Sequence, residues 1–89
     1  MQQESKIDYA STVLSVGDLD VAAMLVAKNH PVISVDKVNK KANFLFQKTA
    51  GMYQLVRDHW QGRLDVNSLA FATARRELKS RLFGLDTIR

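Results

Sequence analysis

Apolar positions along this chain fall into short blocks with different periods, and each block predicts an element. From Ser11 to Val16 the residues are small, apolar or β-branched, which suits a strand, and Gly17 ends it. Val21 to Ala27 is then apolar without interruption. Asp18 is placed to accept from backbone N–H groups two or three residues on, and Asp20 lies where a helix terminus favours negative charge. The spacing therefore predicts a helix from Leu19 to about Lys28, and one that is apolar all round must be buried. Asn29, His30 and Pro31 stop it, because proline disfavours helical geometry in the residue before it.

Alternation takes over from Pro31 to Thr49, where the pattern reads as a β-hairpin. Pairing Val38 with Lys41 across a two-residue turn at Asn39 and Lys40 sets Val35 opposite Phe44 and Ile33 opposite Phe46. These four side chains form an inward apolar face. The other face then carries Asp36 opposite Asn43, Ser34 opposite Leu45 and Val32 opposite Gln47, as in a half-solvated antiparallel pair. Lys37, Lys40 and Lys41 surround the tip.

Helical spacing returns after Thr49, the expected N-cap of a helix from Ala50 to about Gln61, with Met52, Leu55, Val56 and Trp60 on one side and Gly62 as the stop. Trp60 suits base stacking or an interface, but at this spacing from Val56 and Met52 the core is its more usual place. Asp65 is the expected cap of a last helix from Val66 to about Phe83, closed by Gly84. On it Ala70, Phe71, Ala74, Leu78 and Leu82 share one stripe, and Leu69, Ala72, Arg76, Lys79 and Phe83 share the far side. The order is β-α-β-β-α-α. It implies an α+β fold in which a three-stranded, antiparallel-containing sheet carries its helices on one face. Residues 11–84 form the single expected domain, between a flexible tail over 1–10 and a frayed tail over 85–89, from which Leu85 and Ile88 can fold back on the core.

With 89 residues the chain suits one small domain with one core. It has no cysteine, which removes disulfide frameworks and thiolate metal sites and fits a reducing, cytoplasmic setting. Met1 to Tyr9 is polar and acidic, unlike a signal peptide, and no apolar run is long enough for a membrane span. The net charge of +4 is unevenly distributed. Up to Asp36 two lysines face five carboxylates, whereas beyond it eleven lysines and arginines face four. Such a basic C-terminal part favours a nucleic acid or an acidic protein as partner, although a solvated basic face is equally ordinary.

Candidate catalytic chemistry is sparse. Asp18 and Asp20 resemble a Mg²⁺ carboxylate pair, but helix capping accounts for both, and further oxygen ligands are missing. His30 and His59 lie in different elements, so no zinc site is expected. Arg57, Asp58 and His59 carry acid and base groups, yet consecutive helical residues point about 100° apart and do not converge on one atom. There is no Gly-rich phosphate loop, and Ser11, Ser15, Ser34, Ser68 and Ser80 lack a nucleophile-elbow context. The reading is a non-enzymatic protein without metal, cofactor or evident small-molecule substrate.

Three stretches carry a family likeness: Asp18-Leu-Asp-Val-Ala-Ala-Met-Leu-Val-Ala-Lys28, Ala42-Asn-Phe-Leu-Phe46, and Leu55-Val-Arg-Asp-His-Trp-Gln-Gly62 followed by Arg76-Glu-Leu-Lys-Ser-Arg-Leu-Phe83. Over residues 11–84 the chain resembles a family of short bacterial, archaeal and phage proteins catalogued as a domain of unknown function. The resemblance implies the strand-helix-hairpin-helix-helix order and no chemistry. His30-Pro31 departs from it, since a glycine is expected after the first helix.

Two binding surfaces follow. Leu69, Arg76, Lys79 and Phe83 on the far side of the last helix, or an exposed strand edge, suit a protein partner or a homodimer. For Phe83 a fold-back into the core is the equal alternative. Alternatively, Lys37, Lys40 and Lys41 at the hairpin tip, with Arg75, Arg76, Lys79 and Arg81, suit nucleic-acid phosphates. The last two helices imitate a helix-turn-helix only loosely, because the arginines sit in the second half of the last helix rather than at its N-terminal end.

Overall fold

The structure is a computed structural model that describes residues 13–87, with side chains as far as Leu85. Residues 1–10 and the start of the expected first strand lie outside the described residues, as does Ile88. The elements are β1 (Val13–Val16), α1 (Leu19–Ala27), β2 (Val32–Val38), β3 (Lys41–Gln47), α2 (Met52–Trp60) and α3 (Ser68–Thr87). This is the expected α+β order, and the three strands form an antiparallel sheet with β3 in the middle, in the order β1-β3-β2.

The hairpin closes as the alternation requires near its tip and departs from it near its base. Asn39 and Lys40 both take positive φ, 54° and 68°, as a tight two-residue hairpin turn needs. Val38 pairs with Lys41, Asp36 with Asn43, Val35 with Phe44 and Ser34 with Leu45. A bulge then shifts the register, so that Val32 rather than Ile33 opposes Phe46, and Ile33 is 55% exposed. One extra residue reverses the alternation beyond it. Ile33 therefore leaves the inward set, Val32 replaces it, and Gln47 pairs with Val13 of β1.

Capping explains where each helix begins and ends. Asp18 Oδ1 accepts from the N–H groups of Asp20 at 2.8 Å and Val21 at 3.0 Å, as its position predicts. At the other end Asn29 takes φ 74° while His30 N–H donates to Leu25 O and Asn29 N–H to Val26 O, a Schellman closure. Asn29 supplies the left-handed residue of this closure, one position before His30-Pro31. Gly62, φ 71°, does the same for α2, with Arg63 N–H donating to Asp58 O and Gly62 N–H to His59 O.

Two helix starts differ from expectation. Gly51 at φ 87°, not Thr49, precedes α2, so the helix begins at Met52; Thr49 contributes its carbonyl to the Met52 N–H at 3.3 Å. Asn67, not Asp65, caps α3, its Oδ1 accepting from Ala70 N–H at 2.9 Å. Between Gly62 and Asn67 the chain alternates instead, with Leu64 and Val66 partly buried against the core and Arg63, Asp65 and Asn67 exposed. Gly84 does not stop α3, because its φ is not positive and the helix runs on to Thr87.

One cluster forms the core. Phe44 and Phe46 from β3 and Val16 from β1 meet Val21 to Leu25 of α1, Met52 of α2, and Ala74 and Leu78 of α3. The five consecutive buried residues of α1 show that it has neighbours on every side, as its uninterrupted apolar stretch requires. All three helices thus lie on the face of the sheet that carries Phe44 and Phe46. Arg75 Nε donates to Asp20 Oδ1 at 2.7 Å and ties α3 to the first turn of α1. Both side chains are about half exposed, so the pair contributes about 0.5 kcal/mol.

Candidate interaction site

Large apolar side chains left in solvent concentrate on two surfaces. On α3, Leu69 is 73% and Phe83 60% exposed, and Arg76 and Lys79 are exposed between them. Leu69, Arg76 and Phe83 are seven residues apart, so they stack in one row along about 21 Å of helix, with Lys79 beside it. Phe83 does not fold back into the core. The four predicted partner-binding residues therefore share one solvent-facing side, and Leu69 also walls a shallow depression against Val26 and Ala27 of α1.

The second surface was foreshadowed in the sequence only by the interface alternative for Trp60. Trp60, expected in the core, is 64% exposed, and Tyr53 is 57% exposed. Met52, Leu55 and Val56 of the expected stripe do pack on the core, with His59 half-buried beside them, and Trp60 alone leaves the stripe. Tyr53, Val56 and Trp60, at i, i+3 and i+7, instead form one wall of a cavity of about 240 Å³. Leu14, Ser15, Val16, Gly17 and Asp18 form the opposite wall. The helical spacing and the inward places of Met52, Leu55 and Val56 were legible; that Trp60 lies beyond the edge of the core was not.

Side-chain contacts hold the aromatic wall. Lys48 Nζ lies 5.3 Å from the centroid of the Tyr53 ring, a cation–π distance. His59 packs edge-on against Trp60, the centroids 5.3 Å apart and the planes at 79°. Arg57 Nη2 donates to Gln54 Oε1 at 3.3 Å, and Gln54 Nε2 donates to Asp58 Oδ1 at 2.8 Å. Arg57 and Asp58 are thus engaged along the helix surface while His59 faces the indole.

The two outer strands differ in how their edges are guarded. β2 has a bulge at Ile33 and carries Asp36 and Lys37, features that discourage pairing with another chain. β1 consists of Val13, Leu14, Ser15 and Val16, without charge, proline or bulge. Among the described residues it has no neighbour on its outer side.

The basic candidates separate into a tip and a helix. Lys37, Lys40 and Lys41 are exposed at the hairpin tip, and Arg76, Lys79 and Arg81 on α3. Arg75 is held by Asp20 instead. Gly17, just before α1, lies beside Ala42 and Lys41 at the tip, and the C-terminal end of α1 lies beside Leu69 at the start of α3. Because α1 and α3 run antiparallel, α3 from Arg76 to Arg81 runs toward the same end of the molecule as the tip.

Among the described residues no group of three or more His, Cys, Asp or Glu side chains is placed to hold a metal ion. No described helix is long and apolar enough to cross a membrane. Compared with protein-family models, curated proteins and solved structures, the chain has no match.

Proposed function

We propose that this chain is a small non-enzymatic docking protein that engages a protein partner through the outer edge of β1 and the aromatic flank of α2. One observation carries this reading: an unguarded strand edge lies directly beside two exposed aromatic side chains, Tyr53 and Trp60. Natural edges are normally blunted, and tyrosine and tryptophan are enriched where interfaces concentrate their binding energy. The Leu69, Arg76, Lys79 and Phe83 row on α3 is a second docking face of the same protein. Absence of cysteine in the sequence fits action in the reducing cytoplasm.

The test is capture from an extract of the native host on immobilised protein, comparing the unaltered chain with a Tyr53→Ser, Trp60→Ser double variant. Retained protein should fall at least about tenfold, corresponding to about 1.4 kcal/mol. Equal retention by a folded variant would overturn the reading.

A second reading is an accessory nucleic-acid-binding protein, supported by the basic tip and the exposed Arg76, Lys79 and Arg81 of α3, which runs toward it. Phosphate contacts release counterions, so binding to duplex or single strands should weaken steeply as salt rises and weaken further in a Lys40→Glu, Lys41→Glu variant. No binding at low salt would dispose of it.

A further inference from the structure

We propose that the occupant of the β1 edge is β1 of a second copy of this chain, paired antiparallel about a two-fold axis to give a continuous six-stranded sheet. This deepens the docking reading and rests on it. A free strand edge presents backbone N–H and C=O groups in a row, which an extended backbone satisfies and a helix does not. β2 is fitted against such pairing by its bulge and charges, whereas β1 carries neither and has no neighbour on its outer side among the described residues.

Directly opposed residues of an antiparallel pair share a face, so the two-fold must fall on a residue. Centred on Ser15, it sets Leu14 opposite the partner's Val16 on the helix side and Ser15 opposite the partner's Ser15 on the open side. Leu14 and Val16 already line the cavity beneath Tyr53 and Trp60. Pairing thus extends the apolar layer across the seam, and the aromatic walls of the two α2 helices flank it.

Charge complementarity at the ends of the seam favours this arrangement over a parallel one, although Lys48 lies one strand back from the seam. Gln47 pairs with Val13, so Lys48 stands just past the first end of β1, and Asp18 follows its other end. An antiparallel two-fold brings Lys48 to the end of the seam occupied by the partner's Asp18, and repeats that match at the opposite end. Parallel pairing brings like charges together instead.

Because the sequence contains no cysteine, Ser15→Cys introduces the sole thiol. Opposed Cα atoms in an antiparallel pair are about 4.5–5.5 Å apart, within the range a disulfide needs. Under oxidised glutathione, Ser15→Cys should form a covalent dimer at least about tenfold faster than a Ser80→Cys control on the exposed side of α3. Sedimentation of the unaltered chain from about 1 µM to about 1 mM should show a monomer–dimer transition. Ser15→Lys, which opposes two cations, and Trp60→Glu should each weaken it at least about tenfold without changing the circular dichroism spectrum. A monomer throughout this range, with no cross-linking advantage, would overturn the inference. So would a dimer that survives Ser15→Lys and breaks on Phe83→Glu, because its interface would lie on α3. A monomer whose capture of host protein still depends on Tyr53 and Trp60 would refute the second copy while keeping the docking reading, so the two failures are distinguishable.

Discussion

Lys40 occupies a position that the hairpin geometry would give to glycine. At φ 68° it is the second central residue of the turn, where a Cβ is unfavourable, while Asn39 before it tolerates φ 54° more readily. Lys40→Gly should therefore stabilise the fold by about 0.5–1 kcal/mol, seen as a rise in melting temperature of about 3–6 °C. A lowered melting temperature would contradict the turn assignment. Asp18 is the opposite case, a residue already matched to its place. Removing its carboxylate in Asp18→Ala leaves two backbone N–H groups without their acceptor and should cost about 1 kcal/mol in urea unfolding. The Asp18 cap was legible because it depends only on neighbours in sequence. The Asn67 cap was missed because Asp65 offered the same chemistry two residues earlier, and the burial of Leu64 and Val66 decided between them.

At the scale of elements, β2 shows how one residue redirects a whole strand. Alternation placed Ile33 inward opposite Phe46; the bulge turns it out and brings Val32 in. Ile33→Thr should consequently change stability by less than about 0.5 kcal/mol, whereas Phe46→Ala, at a fully buried position, should cost about 3–5 kcal/mol. Comparable losses for the two variants in chemical denaturation would restore the regular register. In α3, Gly84 is a right-handed helical residue with open space where a Cβ would stand. Gly84→Ala should raise the stability of the last turns by about 0.5–1 kcal/mol, measurable as slower amide exchange there.

For the whole molecule, the decisive contrast is between α1 and α2. α1 is enclosed by sheet and helices, so Met24→Ala should cost about 2–5 kcal/mol of folding stability. Trp60→Glu, on the solvent side of α2, should leave the melting curve nearly unchanged while abolishing association. A large loss of stability from Trp60→Glu would mean that the indole belongs to the fold rather than to an interface.

The order of elements, the closed ends of α1 and α2, the turn at Asn39 and Lys40, and the burial of α1 were determined by the sequence itself. Each follows from backbone sterics, local hydrogen bonds or a period that admits one solution. The same holds for Leu69, Arg76 and Lys79 on the outer side of α3, since Phe71, Ala74 and Leu78 fix which side of that helix is inward, whereas the place of Phe83 was open until the fold put it in solvent. Tertiary structure decided the bulge at Ile33, the exposure of Trp60 and Phe83, and the outer edge of β1 that, among the described residues, has no neighbour. Those depend on competition between nearly equivalent apolar faces for one small core, and a local pattern records the competitors without recording which one packs.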